Sequence, residues 1–407
     1  MSEPLAGTAP RRRWRPWFVR WRSQLVTALI TLAAFVLAFL VGAVLMIVSD
    51  PEVISQYAYL FTAPGLPLGA SWEKVSSAYA ALLGGSIGGW GPITETTAQA
   101  APLICAGLGV GLAFRAGLFN IGAQGQAVVG AMVAAWIGFT WHLPPGLHLL
   151  VAVAGGVLAG ALWAGIAGWL KARAGAHEVI VTIMLNYVAT GLLAFALTTT
   201  AFQRPGRSDP ISPIVDWNAT MPRLEGGRLH LGFVLALLAA VLVWVVMERS
   251  TAGFTIKAVG INPHASRTAG MSVPNTTVLA MLLAGGLAGL AGVQAALGPS
   301  VAGTPVPLSA GLVGSIGFDA ITVALLGRSR PLGTVLAGLL FGGLHAGGLA
   351  MQSQAGTSAE LTTVLQALIV LFVAAPALVT TVMPFLRARR APLTGTTPTP
   401  TGGGLAP

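Results

Sequence analysis

Amide, aromatic and carboxylate side chains cluster in three short stretches of a sequence that is otherwise largely apolar. Amides donate and accept hydrogen bonds without carrying charge, and aromatic faces can stack on a planar ligand, so this combination suits a neutral polar molecule. Gly122 and Gly125 lie within the first stretch and would allow an unwound turn. We predict that the clusters line a translocation pathway or binding site, with these candidates: Phe119, Asn120, Gln124, Gln126, Asn186, Tyr187, Phe318 and Asp319.

The same residues have a second interpretation as bridges between packed helices, since amides and hydroxyls often link transmembrane helices. Glu178 would then be a carboxylate that stabilises a helix N-terminus. His345 has no second histidine or carboxylate at metal-ligand spacing, which favours a packed or hydrogen-bonded side chain. Cys105 is the only cysteine and lies in an apolar run, so we predict a buried thiol, no disulfide and no metal site.

Two catalytic signatures are missing from the sequence. It contains no Gly-Lys dipeptide and therefore no phosphate-binding Gly-x-x-x-x-Gly-Lys loop. His-Glu-x-x-His is also absent. We therefore predict that the chain has no catalytic residues, binds no cofactor of its own and is not an enzyme.

Composition points to a membrane protein. Of the 407 residues, 55% are apolar and only 8% are charged, against about 25% charged in globular domains. Apolar runs of about 20 residues match the thickness of a bilayer. The chain is predicted to be an all-α polytopic membrane protein with ten transmembrane helices, of which 313–327 is short or broken: 25–48, 92–113, 117–140, 148–170, 179–201, 231–247, 275–297, 313–327, 331–350 and 361–383.

Charge distribution predicts the orientation. Most of the 22 Lys and Arg residues fall in the segments on the same side as the N-terminus, so both termini are expected in the cytoplasm. The formal charge of +10 then marks membrane sidedness and not nucleic-acid binding. Glu95 and Asp319 are the only charged residues within the ten runs, which favours a role in the pore or in breaking a helix.

The segments outside the helices are predicted as follows. Residues 1–24 form a basic cytoplasmic tail, and 384–407 form a disordered one. Residues 49–91 are extracytoplasmic, with aromatic side chains that suit an interfacial helix. The main membrane core spans 92–383 and includes an extended outer segment at 202–230.

The cytoplasmic loop 248–274 predicts a short helix that is capped at both ends. Asn262 is a good N-cap, Pro263 is favoured at the first helical position, and Gly270 can end the helix in a left-handed conformation. Such a helix could dock on a soluble partner or could be a surface connector.

Four stretches identify a resemblance to a known family: Gly117–Gln126, His177–Tyr187, Gly260–Gly270 and Gly317–Gly327. The chain resembles the permease subunits of ABC importers for branched-chain amino acids, ribose-type sugars and simple nucleosides, and in particular the larger permease of the nucleoside branch. Members commonly carry an acidic residue where this chain has Gln124.

The resemblance implies a multi-pass subunit of the bacterial cytoplasmic membrane, surrounded by lipid and paired with a second, related permease. A cytoplasmic subunit would bind and hydrolyse ATP, and an extracytoplasmic lipoprotein would deliver a nucleoside. The residues that couple to the ATPase would be Gly260, Asn262, Pro263, Arg267 and Gly270.

Three alternatives stay open at this point. One is an ABC permease for ribose-type sugars. Another is an ion-coupled secondary transporter, in which Glu95 and Asp319 would be the coupling carboxylates. The third is an intramembrane enzyme acting on lipid, for which the sequence offers no pair of nucleophile and base.

Overall fold

A computed structural model describes residues 17–224 and 226–374. The predicted tail at 384–407, most of the tail at 1–24 and the end of the predicted span 361–383 lie outside these residues. Within the described ranges the fold is built from helices, with isolated bridges but no strand. The α-helices are α1 (Trp17–Ser49), α2 (Pro51–Gln56), α3 (Gly65–Ile87), α4 (Trp90–Arg115), α5 (Ala123–Thr140), α6 (Leu147–Ala174), α7 (Glu178–Ala196), α8 (Leu231–Arg249), α9 (Thr251–Ile261), α10 (Pro263–Thr268), α11 (Val273–Leu297), α12 (Ile316–Leu326), α13 (Pro331–Ala355) and α14 (Ala359–Ala374).

The all-α polytopic membrane fold is confirmed. In the described part, seven helices are long and apolar enough to cross a bilayer: α1, α4, α6, α7, α8, α11 and α13. Each coincides with a predicted span. The predicted short element at 313–327 is α12, which has only 11 residues. Helix α14 is followed for 16 residues before the described part ends.

The start of the predicted span 117–140 was wrong, because α5 begins at Ala123. Gly117 has a φ of +70°, which ends α4 in a left-handed turn. The side chain of Asn120 then accepts a hydrogen bond from the backbone N–H of Gly122, and this local bond competes with helix formation. Residues 117–122 are therefore an irregular connection.

The core forms where α4, α5 and α11 meet α6, α8 and α13. Its buried side chains are largely alanines, which allow helices to approach closely. Between α6 and α11 the backbones themselves touch: a Cβ atom added at Gly160 would lie 2.6 Å from the Cα of Gly289. This contact leaves no room for any side chain at that crossing.

A second cluster joins α1, α3, α13 and α14. The hydroxyl of Tyr79 donates to the backbone oxygen of Phe39, at 2.5 Å, and so fixes α3 to α1. The segment 49–91 is thus mainly helical, and Gly88 and Gly89 connect α3 directly to α4. Its predicted extracytoplasmic location stays a prediction.

In its described residues, the segment 202–230, which is predicted to lie on the outer side, is irregular apart from one turn of 3-10 helix at Trp217–Ala219. It packs against a second irregular segment that follows α11. The Ser212 hydroxyl accepts from the backbone N–H of Leu308, at 2.9 Å. The guanidinium of Arg223 donates to the backbone oxygens of Ser300 and Val301.

Candidate functional site

Two of the predicted amides bind each other inside the protein. Asn120 and Gln126 are both about 1% exposed. The Asn120 amide donates to Gln126 Oε1 at 3.1 Å, and the Gln126 amide donates back to Asn120 Oδ1 at 3.0 Å. The same Asn120 oxygen accepts from the Gly122 N–H at 3.0 Å. A cargo molecule could bond to these amides only if this closed pair opened.

Asn186 fastens α7 to the connection before α5. Its amide donates to the Ile121 backbone oxygen at 2.9 Å, and its Oδ1 accepts from the Gly125 N–H at 2.8 Å. Both groups are backbone atoms that the irregular turn would otherwise leave without helical partners. The geometry of Asn120, Gln126 and Asn186 therefore favours helix bridging over direct contact with cargo.

Gln124 holds the N-terminal end of the short helix α12 against α5. Its amide donates to the Gly314 backbone oxygen at 2.6 Å, and its Oε1 accepts from the Gly317 N–H at 2.8 Å. A Cβ atom at Gly317 would lie 2.1 Å from the backbone nitrogen of Gln124, so only glycine fits there. The arrangement requires one donor and one acceptor, which an amide supplies and an ionised carboxylate does not.

The three predicted aromatic residues are exposed on this chain. Tyr187 is 72% exposed, and Phe119 and Phe318 are each 53% exposed. Phe119 packs on one side against Phe114, with ring centroids 4.9 Å apart. The exposed faces of Phe119, Tyr187 and Phe318 are free to contact lipid, another subunit or cargo.

Asp319 lies in a polar cavity of about 350 Å³ between α12, α13 and α14, with one residue from α4. Ser315 donates to Asp319 Oδ2 at 2.7 Å. The lining residues are Gln99, Ser315, Asp319, His345, Gly348, Leu349, Gln352, Thr362, Thr363 and Gln366. Of the predicted site residues, Asp319 is the member that lines this cavity.

Most of the residues that line the cavity were not predicted as site residues, and His345 was predicted to be a packed or hydrogen-bonded side chain. A signal was present in α13. His345, Gly348, Leu349 and Gln352 follow the spacing i, i+3, i+4, i+7, which places them on one helix face. A polar residue at each end of such a face, in an apolar helix, indicates a cavity or a polar partner.

Glu95 is ion-paired. A guanidinium nitrogen of Arg228 donates to Glu95 Oε1 at 2.7 Å, and the amide of Gln99 donates to the same oxygen at 2.9 Å. Arg228 belongs to the outer segment 202–230, so the pair joins that segment to the start of α4. Within the described residues no group of three or more His, Cys, Asp or Glu side chains could hold a metal ion.

The predicted capped helix in the loop 248–274 is present as α10. Asn262 Oδ1 accepts from the Ala265 N–H at 3.0 Å, Pro263 is the first helical residue, and Gly270 has a φ of +80°. Arg267 is exposed in the last turn, and Ile261, which precedes the cap, is 85% exposed. The helix therefore presents an open surface.

Helix α9 carries this surface and touches the irregular turn before α5. A Cβ atom at Gly260 would lie 2.3 Å from the Arg115 backbone oxygen, and one at Gly117 would lie 3.0 Å from the Gly260 oxygen. Arg115 also donates to Glu248 and to the Ser329 backbone oxygen, each at 2.8 Å. The loop 248–274 and the residues 117–126 are thus in direct backbone contact.

The chain is similar to known transport proteins over most of its length. Residues 93–374 match the protein family described as the permease component of the branched-chain amino acid transport system. The guanosine ABC transporter permease protein NupP of Bacillus subtilis is 39% identical over 89% of this chain and 97% of its own length. The nucleoside ABC transporter permease protein NupB of Lactococcus lactis is 33% identical over 89% of this chain and 95% of its own length.

A third relative has a different named cargo. The glucose ABC transporter permease protein TsgB13 of Haloferax volcanii is 32% identical over 89% of both chains. Weaker similarity extends to a second permease from each of the two nucleoside systems, NupQ at 24% and NupC at 28% identity. No significant match was found among solved structures.

Proposed function

The chain belongs to the family of permease components of branched-chain amino acid transport systems, and on this premise we propose that it forms part of the membrane pore of an ATP-driven importer of nucleosides. The observation that carries the choice of cargo is the similarity to guanosine and nucleoside permeases across 89% of this chain. The proposed location is the bacterial cytoplasmic membrane, with both termini in the cytoplasm.

The chain is proposed to act together with three partners. The nucleoside relatives occur with a second permease of the same family, which supports a heterodimeric pore. A separate cytoplasmic subunit would bind and hydrolyse ATP, so this chain needs no catalytic residues or cofactor. An extracytoplasmic substrate-binding lipoprotein would deliver cargo to the outer segments, including 202–230.

Coupling to the ATPase is assigned to Gly260, Asn262, Pro263, Arg267 and Gly270. Helix α10 is short, capped and exposed, as a docking element requires. A displacement of α10 would move α9, and α9 bears directly on Gly117 through Gly260. The irregular turn 117–122 and the amides that hold it would then change position together.

The eight predicted pathway residues have two kinds of role in this proposal. Asn120, Gln124, Gln126 and Asn186 hold the irregular turn and α12 in place, and can change partners as the pore opens. Phe119, Tyr187 and Phe318 offer exposed aromatic faces for stacking on a base, and Asp319 offers a carboxylate.

A sugar is the second candidate cargo, because TsgB13 is a glucose permease with comparable coverage. Both cargo classes are neutral and rich in hydroxyl groups, so the polar residues alone do not separate them. The ion-coupled alternative is not favoured, since the Glu95 carboxylate is already paired with Arg228.

The test is uptake into vesicles that hold this chain with its second permease and ATPase. Radiolabelled guanosine, adenosine, uridine, ribose and glucose are compared with and without ATP. Nucleoside uptake that requires ATP supports the proposal. ATP-dependent uptake of sugars alone would instead identify a sugar as the cargo. Uptake by this chain alone that follows a proton gradient and ignores ATP overturns the importer.

Coupling is tested in the same vesicles. Asn262→Ala removes the cap of α10, and Asn262→Asp retains it, so only the first is expected to lower uptake strongly. Arg267→Glu reverses a charge on the exposed surface and is expected to abolish ATP-dependent uptake in complexes that still assemble. Full uptake with Arg267→Glu would contradict the assignment of this surface.

A further inference from the structure

The cavity around Asp319 has the size and the chemistry of a small-molecule site. Its volume of about 350 Å³ falls in the range of about 300–1,000 Å³ that is common for ligand pockets. It lies among helices that are otherwise rich in alanine, glycine and leucine. A group of amides, hydroxyls, a carboxylate and an imidazole at one such place calls for a polar occupant.

The lining side chains restrict the class of that occupant. None of the residues around the cavity is Lys or Arg, so nothing there would balance the charge of a phosphate or a carboxylate. Asp319 is a hydrogen-bond acceptor when ionised, and Ser315 occupies only one of its oxygens. Leu349 and Gly348 supply an apolar patch. The best match is a neutral, flat molecule with N–H donors on one edge.

Parts of the cavity wall are held in position before any ligand enters. The Gln99 amide donates to Glu95, which is itself held by Arg228, so the Gln99 side chain is fixed at the rim. Helices α13 and α14 meet closely beside it, since a Cβ atom at Gly348 would lie 2.3 Å from a methyl carbon of Thr362. Fixed polar groups bind a ligand without first losing side-chain entropy.

From these observations we propose that the cavity formed by Gln99, Ser315, Asp319, His345, Gln352 and Gln366 binds the base of a purine nucleoside, with Asp319 accepting two adjacent N–H groups of a guanine-type edge. The proposal rests on the nucleoside importer proposed above and deepens it. Asp319 would then be a specificity-determining residue. Guanosine presents both N–H groups, whereas inosine lacks the exocyclic amine and would lose one bond.

The remaining side chains would complete the hydrogen bonds. Gln352 and Gln366 carry both donors and acceptors, so they can serve the sugar hydroxyls or the other base edge. Gln366 also approaches the imidazole of His345, which lies within electrostatic reach of Asp319. By contrast, Asn120, Gln126 and Asn186 already use their polar atoms inside the protein.

Uptake of guanosine and inosine by the assembled complex tests the proposal, with Asp319→Asn and Gln352→Leu as variants. Gln354→Leu is the matched control, because Gln354 is exposed on α13 two residues further on and does not line the cavity. We expect Asp319→Asn to remove most of the preference for guanosine over inosine. Gln352→Leu should raise KM for guanosine about tenfold, and Gln354→Leu should leave it unchanged.

The outcomes separate this proposal from the function on which it rests. If the unmodified complex takes up no nucleoside, the proposed function fails. If it does, and both cavity variants keep the KM and the guanosine preference of the unmodified complex, the cavity proposal alone is overturned.

A second measurement needs no variant and covers the case in which the variants do not assemble. The unmodified complex is irradiated with 8-azidoguanosine, and the labelled residues are identified by mass spectrometry. Label on α12, α13 or α14 at the cavity, competed by guanosine but not by guanosine 5′-monophosphate, supports the proposal. Label confined to other parts of the chain, or equal competition by the phosphate, contradicts it.

Discussion

A guanidinium nitrogen of Arg228 lies 2.7 Å from Oε1 of Glu95, so that one of the two charges within the predicted membrane runs is neutralised by the outer segment 202–230. Both side chains are partly buried, at 28% exposure for Arg228 and 22% for Glu95. Gln99 shares the same carboxylate oxygen. The pair therefore joins an outer segment, the start of α4 and the rim of the polar cavity.

Removing both partners of this pair should cost less than the sum of the two single losses. Arg228→Met leaves the Glu95 carboxylate partly buried without its cation, and Glu95→Gln leaves the guanidinium unbalanced. We expect each single variant to lower the free energy of unfolding by about 1–2 kcal/mol, and the double variant to lower it by less than their sum. Thermal unfolding of the unmodified chain, the two single variants and the double variant, each purified in detergent, measures this double-mutant cycle. Strictly additive effects would show that the pair contributes nothing.

Gly117 and Gly260 provide a test of backbone contact. Gly117→Ala adds a methyl group 3.0 Å from the Gly260 oxygen at a φ of +70°. Gly175→Ala is the matched control, since Gly175 has a φ of +66° but nothing within 4 Å. Both changes should destabilise by about 1 kcal/mol through backbone strain. Only Gly117→Ala should also reduce ATP-dependent uptake per assembled complex, and equal uptake by the two variants would refute the contact's role.

Gln124→Glu tests whether an amide is required at this position. The ionised carboxylate can accept from the Gly317 N–H but cannot donate to the Gly314 oxygen, which it would repel. We expect a loss of about 1–3 kcal/mol in the free energy of unfolding near neutral pH. Gln354→Glu, at an exposed position, should cost little. A fully stable Gln124→Glu variant would mean that α12 can be held in another way.

His230 should make stability depend on pH. Burial lowers the pKa of His230 from 6.5 to about 4, with Arg228 and Arg223 adding to the effect. The neutral ring accepts a hydrogen bond from the Gly232 N–H and caps α8. Because the unfolded chain binds the proton more readily, stability is complete above about pH 6.5 and falls as pH drops towards 4.

The size of this effect is at most about 1.4 kcal/mol for each pH unit in that window. His230→Asn keeps a capping side chain and removes the titrating ring. Unfolding temperatures measured from pH 7 to pH 4 should therefore fall less steeply in His230→Asn than in the unmodified chain. Parallel curves would exclude His230 as the source.

Some of these features could be predicted from the sequence because they are local. Asn262, Pro263 and Gly270 specify α10 through bonds that span only a few residues. The apolar runs likewise predict the membrane helices, since the bilayer requires about 20 apolar residues from each. The short length of α12 also follows from its own sequence.

The candidate site was harder to predict, because its partners come together only in the folded chain. Gln124 binds the backbone of Gly314 and Gly317, which lie about 190 residues away. Gln99 on α4 and Gln366 on α14 lie far apart in the sequence, yet both line the same cavity. Spacing shows that an amide is available, but helix packing decides whether it faces a neighbour or a cavity.

The crossing of α6 and α11 at Gly160 and Gly289 bears on how such a pore can open. At this crossing backbone meets backbone, and no side chain lies between the two helices that could rotate to let one slide past the other. The two helices should therefore travel as a single rigid body during transport. The hinges must lie elsewhere, in connections such as 117–122 and the turns around α12, and a disulfide engineered across α6 and α11 would leave the transport cycle free to run.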